Sequence, residues 1–253
     1  MKHTQFDKLS VKILNTRKEM GECAANDICA TINVLLKTKE QINMIFAAAP
    51  SQNEVLESLT KKDINWAKIN AFHMDEYIGL DDNAPQRFGN YLNEHIFGKV
   101  PFASVNYINP NTSNPNEEIN RYSELLKDNP VDIVVMGIGE NGHIAFNDPP
   151  VADFKDPLLV KPVPLDEMCR MQQVHDGCFK KIDDVPTHAI TLTIPTLMNA
   201  KYLFCIVPSL AKANAVYSTL YGQINERTPA SILRTHNSAT LYLDLDSSER
   251  IVL

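Results

Sequence analysis

The sequence predicts an α/β fold with a mostly parallel sheet covered by helices on both faces. Two observations carry that expectation. Apolar runs of strand length alternate with longer amphipathic segments, and no repeat, low-complexity tract or long linker divides the 253 residues, so one domain is expected over 1–253. Residues 18–38 space their apolar side chains three to four apart and predict a helix. NMIFAAA at 43–49 is an apolar run closed by Pro50 and predicts a strand. A helix is expected at 51–61, a strand at 67–74 (AKINAFHM), a helix at 86–97, a short strand at 105–109 and a helix at 117–127. VDIVVMGI at 131–138 predicts a strand ending in glycine. Further strands are expected at 189–194 and 202–207, a helix at 209–221 and a closing strand at 241–245.

Hydrophobic residues make up 44% of the chain and charged residues 22%, an ordinary balance for a globular protein that buries a core without staples. The formal charge is −7, from 24 Lys and Arg against 31 Asp and Glu, and no basic block occurs; this argues against a nucleic-acid partner. The opening MKHTQFDKLSVKIL lacks the apolar core of a signal peptide, and no run approaches the roughly 18 apolar residues of a membrane span, so a cytoplasmic protein without membrane contact is expected. The five cysteines, Cys23, Cys29, Cys169, Cys178 and Cys205, show neither a CxxC pair nor a zinc-ligand spacing and read as free thiols.

In open parallel sheets, ligands bind beyond the carboxyl ends of the strands, which singles out three junctions. After the strand at 43–49, Ser51 and Glu54 stand at capping-box spacing. The amides of Ser51, Gln52 and Asn53 at a helix start suit an anion such as phosphate, although a plain helix cap explains the same residues and Glu54 adds a charge of the wrong sign. At AFHMDEYIGL, Asp75 and Glu76 follow a strand and point to opposite faces, so one of them is expected to face a site as a general base. A solvated strand end is the alternative.

The third junction is VVMGIGENGHIAFNDPP, where Gly137, Gly139 and Gly142 formally spell GxGxxG. A dinucleotide fingerprint needs a helix to follow, and Asn147, Asp148, Pro149 and Pro150 forbid one, so the glycines read instead as a turn that brings backbone close to a substrate. The turn delivers His143 between Asn141 and Asp148.

Together, FHMDEYIGL and GIGENGHIAFNDPP resemble the two signature segments of the glucosamine-6-phosphate deaminase/isomerase family. Their order and their gap of about sixty residues also fit, and VPSLAKA, with Lys212, is similar to the family's third segment. The resemblance spans residues 43–245 and implies a Rossmann-like three-layer sandwich. It also implies conversion of glucosamine- or galactosamine-6-phosphate to the ketose phosphate with release of ammonia, no metal or nucleotide cofactor, and a habit of forming homo-oligomers. Carried over by motif position, Asp75 would move the C2 proton and His143, with Asn141 and Asp148, would open the sugar ring. Ser51, Gln52, Gly137 and Lys212 would hold the 6-phosphate.

Three features depart from the family pattern. Asn141 and Asp148 stand where the well-known deaminases carry aspartate and glutamate, and Ala49 and Pro50 replace phosphate-loop glycines. The stretch LDEMCRMQQVHDGCF occupies the place of a lid expected over 150–182, where Arg170 is the nearest counterpart of the family's phosphate-binding arginine. Two other readings stay open: a sugar-phosphate lactone hydrolase like the related 6-phosphogluconolactonases, which share a glycine-glycine-histidine loop, and a non-catalytic sugar-phosphate sensor.

Overall fold

Eleven strands form two sheets in the computed structural model, which describes residues 1–112 and 114–252. In chain order they are β1 (Lys2–Phe6), β2 (Leu9–Ile13), β3 (Ile42–Phe46), β4 (Ile69–His73), β5 (Asp75–Tyr77), β6 (Ser104–Asn106), β7 (Ile133–Met136), β8 (Val160–Pro164), β9 (His188–Leu192), β10 (Tyr202–Val207) and β11 (Ala239–Leu243). The main sheet has eight strands in the order β1-β2-β11-β10-β7-β3-β4-β6, parallel except for the β1–β2 hairpin at one edge.

The helices are α1 (Arg17–Leu35), α2 (Asn53–Thr60), α3 (Phe88–Leu92), α4 (Pro115–Asp128), α5 (Glu167–His175), α6 (Ile194–Met198) and α7 (Ala213–Tyr221). They cover both faces of the main sheet because its central strands are apolar on both sides. Successive side chains of a strand point to opposite faces. Ile133 and Val135 of β7 accordingly join the core under α1 and α2, while Val134 and Met136 join the core under α4 and α7. Phe204 and Ile206 of β10 divide from Leu203, Cys205 and Val207 in the same way.

The α/β fold with a mostly parallel, twice-covered sheet is thus observed, with differences in its parts. The run at 189–194 does not join the parallel sheet. It forms β9, the middle strand of a separate antiparallel sheet ordered β5-β9-β8. The expected strand at 67–74 likewise ends at His73, and Asp75–Tyr77 leaves to pair with β9. The 150–182 stretch is not one cover: β8 belongs to the second sheet, and α5 alone reaches the site described below. Among the described residues, no helix is long and apolar enough to cross a membrane.

Strand order fixes where a ligand fits. From β3 the chain moves outward through β4 to β6, then crosses back to β7 on the other side of β3 and continues outward through β10. The order therefore reverses between β3 and β7, and at such a switch point the loops leaving neighbouring strands part and open a crevice.

Candidate active site

That crevice holds a cavity built from the residues that follow each strand. After β3 come Ala47–Ala49, Ser51 and Gln52; after β7 come Gly137, Ile138, Gly139 and His143; β5 supplies Asp75, and the turn ahead of α7 supplies Lys212. Gln172 and Gln173 of α5, with Phe88 and Phe146, complete the lining.

His143 is held by an amide and a carboxylate. Its Nδ1 lies 2.8 Å from Asn141 Oδ1 and 2.9 Å from Asp148 Oδ1, and Asn141 Nδ2 donates to the same Asp148 oxygen at 2.9 Å. The backbone N–H of His143 also donates to Asn141 Oδ1, at 3.0 Å. With two acceptors at Nδ1, that nitrogen carries the proton of the neutral ring and Nε2 is left without one. Burial alone would raise the pKa of Asp148, but its contacts with His143 and Asn141 outweigh that and hold it below the usual carboxylate range.

Two glycines make this loop feasible. A Cβ on Gly139 would sit 2.1 Å from the His143 ring, and Gly142 has φ +86°, a conformation that side chains disfavour. The second sheet anchors the far end of the loop: Phe146 N donates to Thr191 Oγ1 at 3.1 Å, and Asn147 Nδ2 donates to Leu192 O at 2.8 Å.

Asp75 and Glu76 divide as adjacent strand residues must. Glu76 faces away and accepts from the backbone N–H groups of Tyr77, Phe88 and Gly89 at 2.9, 3.1 and 2.9 Å, so it pins β5 to α3. Asp75 lines the cavity while 6% exposed. Burial, aided by the neighbouring Glu76 charge, pushes its pKa well above the usual carboxylate range, which makes its ionised form a stronger base.

An anion-binding end lies in the same cavity. Lys212 is 5% exposed, and its Nζ is buried without a hydrogen-bond partner, so burial lowers its pKa. Gln52 Nε2 bonds Ser51 Oγ at 3.0 Å and Ile206 O at 3.2 Å, leaving its buried Oε1 unpartnered.

Two expectations need correction. Ser51 does not cap α2: it lies within a short 3₁₀ turn, Pro50–Gln52, and the N-cap position falls on Gln52 with no side-chain cap. Glu54 turns instead to Arg17, 2.6 Å away, so its charge is paired rather than aimed at a ligand. Arg170 does not line the cavity. Its guanidinium donates to Ile182 O at 2.7 Å and Val185 O at 2.9 Å, tying α5 to the chain that follows it.

Sequence reasoning missed Gln172 and Gln173, which bring α5 to the site. Gln172 Oε1 accepts from Glu140 N at 2.8 Å, joining α5 to the His143 loop. The available signal was Asp166, which caps α5 by accepting from Met168 N at 3.1 Å.

Residues 15–242 match the family of glucosamine-6-phosphate isomerases and 6-phosphogluconolactonases. The chain belongs to that family. A glucosamine-6-phosphate deaminase of Bacillus cereus (strain B4264) is 31% identical over 239 residues, covering 94% of this chain and 88% of the relative. One from Bacillus thuringiensis (strain Al Hakam) shows the same identity and coverage, 31% over 94% and 88%. Among solved structures, a monomeric glucosamine-6-phosphate deaminase superposes with a TM-score of 0.85 at 28% identity, over 94% of this chain and 98% of that one. A 6-phosphogluconolactonase from Thermotoga maritima reaches 0.75 at 18% identity, over 92% and 98%, and shares the family's fold.

Proposed function

We propose that the chain converts an amino-sugar 6-phosphate, glucosamine-6-phosphate in the first place, to the ketose 6-phosphate with release of ammonia. The observation that carries this reading is the unpartnered Lys212 ammonium in the same cavity as Asp75, an anion site beside a strong buried base. The glucosamine-6-phosphate deaminases at 31% identity support the substrate class.

The residues divide the chemistry among them. Lys212, with Ser51 and Gln52, holds the 6-phosphate. His143 Nε2 accepts the anomeric hydroxyl proton and returns one to the ring oxygen, opening the sugar, while Asp148 and Asn141 keep Nδ1 protonated and the ring aimed. Asp75 removes the C2 proton and returns it at C1, while the C1 oxygen gains a proton and the C2 nitrogen gives one up, so that the carbonyl becomes a hydroxyl and an imine forms at C2. Water hydrolyses the imine to the ketose and ammonia. Each positioned acid or base contributes about 10²–10⁴ in rate, and fixing the phosphate makes the proton transfers effectively intramolecular.

Proton NMR in D₂O with glucosamine-6-phosphate tests this, together with assays of ammonia and ketose phosphate. Product and deuterium incorporation at C1 are expected, and both should vanish in Asp75→Asn. Galactosamine-6-phosphate and 6-phosphogluconolactone serve as parallel substrates. Hydrolysis of the lactone without turnover of either amino sugar would replace this reading with the lactonase one, and binding of an amino sugar without exchange or turnover would replace it with the sensor.

A further inference from the structure

We propose that His143, Asp148 and Cys169 form an inhibitory binding site for zinc. One donor atom from each residue, an imidazole nitrogen, a carboxylate oxygen and the thiol sulfur, lies within 4.8 Å of the other two. Tetrahedral zinc with bonds near 2.0–2.3 Å places its ligands roughly 3.3–3.8 Å apart, so atoms at the outer limit must close by about 1–1.5 Å to share one ion.

Two further observations point to a cation. Asp148 Oδ2 is buried with no partner at good hydrogen-bond geometry; the Cys169 thiol and the Asp166 backbone approach its carboxylate, and an oxygen so poorly paired is costly inside a protein. Cys169 is 1% exposed beside that carboxylate, and the amino-sugar chemistry assigns it no task. A thiolate and a carboxylate together cancel the double charge of zinc, giving a neutral centre suited to a buried place. Nitrogen, oxygen and sulfur donors in one set favour zinc over magnesium or calcium, which prefer oxygen alone.

The protons balance without redox change. On binding, the Cys169 thiol releases one proton to solvent and a Zn–S bond forms. His143 gives up its Nδ1 proton and takes one at Nε2, and Nδ1 and an Asp148 oxygen complete the protein ligands; water fills the fourth position. With Nε2 locked in its protonated form, the imidazole no longer relays protons. Because Cys169 belongs to α5 and the other two ligands to the loop after β7, the ion also clamps α5 against that loop. Inhibition rests on His143 acting in ring opening, whereas metal binding does not.

The test is titration of the metal-free full chain with cobalt(II) as a spectroscopic stand-in for zinc. A thiolate-to-cobalt charge-transfer band and tetrahedral visible bands should appear, be displaced by zinc, and be retained in Cys178→Ala. Losing partners that merely orient ligands costs about 10–100-fold in metal affinity, so Cys169→Ala should weaken binding by at least about 100-fold. Zinc should raise the Tm of the native chain and leave that of Cys169→Ala unmoved, with circular dichroism confirming that the variant is folded. A cobalt band of full intensity in Cys169→Ala, or no band in the native chain, overturns the site. Metal bound through Cys169 with amino-sugar turnover unchanged overturns the inhibition alone. A chain that binds cobalt through Cys169 yet turns over no amino sugar when metal-free refutes the proposed activity and leaves the site standing.

Discussion

Two buried histidines, His73 at the end of β4 and His143 beyond β7, sit in opposite situations, and the contrast bears on the role proposed for His143. His73 Nε2 accepts a hydrogen bond from Ile108 N at 2.7 Å, and its ring packs edgewise against Tyr107 and Tyr122. Burial first, and the Arg87 charge second, push its pKa down to about 3, so it stays neutral and holds structure. His143 instead faces acceptors at Nδ1, one of them a carboxylate, and its cavity supplies a place for Nε2 to work. Burial is common to both. The partner at the ring nitrogen differs, a donor in one case and acceptors in the other.

The largest effect should come from removing Asp75, the base proposed for the cavity that His143 lines. Asp75→Asn should lower kcat by about 10²–10⁴. Folding raises this carboxyl's pKa, so its ionisation costs stability increasingly as pH rises from the unfolded value towards the folded one. The inactive variant should therefore melt higher than the native chain at neutral pH; a lower Tm would show that the carboxylate is not under strain. Asp148→Asn comes next, with a loss of about 10² in kcat because His143 loses its anionic partner. Pre-opened substrate analogues should be spared, and an equal loss on them would remove His143 from ring opening.

Lys212→Ala should raise KM by about 10–100-fold with a smaller change in kcat, since a charge-assisted hydrogen bond is worth about 1.5–3 kcal/mol. A pure kcat effect would move the phosphate elsewhere. The smallest effect tests the structural histidine. His73 is harder to protonate folded than unfolded, so the stability its neutral form provides is complete above about pH 6.5 and is lost as pH falls towards about 3. His73→Asn should flatten the pH dependence of Tm in that window while leaving kcat within about twofold, a barrier change below about 0.5 kcal/mol. An equally steep curve would mean that the acid sensitivity arises at other groups.

Much of this was legible because period and junction survive burial. Central strands such as β7 and β10 announce themselves as apolar runs, and the switch-point rule sends the reader to the loops carrying Ser51, Asp75 and His143. What hid was context. The run that became β9 is as apolar as a parallel strand, and only its partners, β5 and β8, set its direction. Pro162 and Pro164 argue against a strand, yet β8 tolerates them as an edge. Leu9, Val11 and Ile13 alternate with Ser10 and Lys12, a period-two signal overlooked because the segment is short. Ser51 followed by Glu54 has the spacing of a cap, but Arg17, remote in sequence, takes the glutamate. Arg170 fails as a phosphate ligand for a similar reason, since carbonyls twelve and fifteen residues later claim its donors.

The unpartnered Lys212 has a consequence for how the chain survives heat. Folding takes that ammonium out of water and gives it no hydrogen-bond partner, with the charges of Asp176 and Glu140 offsetting part of the cost, so an anion that enters the cavity serves as a missing part of the fold as well as a ligand. Any ligand that binds only the native state stabilises it in proportion to the logarithm of its concentration, about 2.7 kcal/mol at a hundredfold excess over Kd. Inorganic phosphate or a sugar phosphate should then raise the Tm of the native chain and lose that power in Lys212→Ala. A cell depleted of substrate would hold its least durable copies of this protein, and supply would protect them.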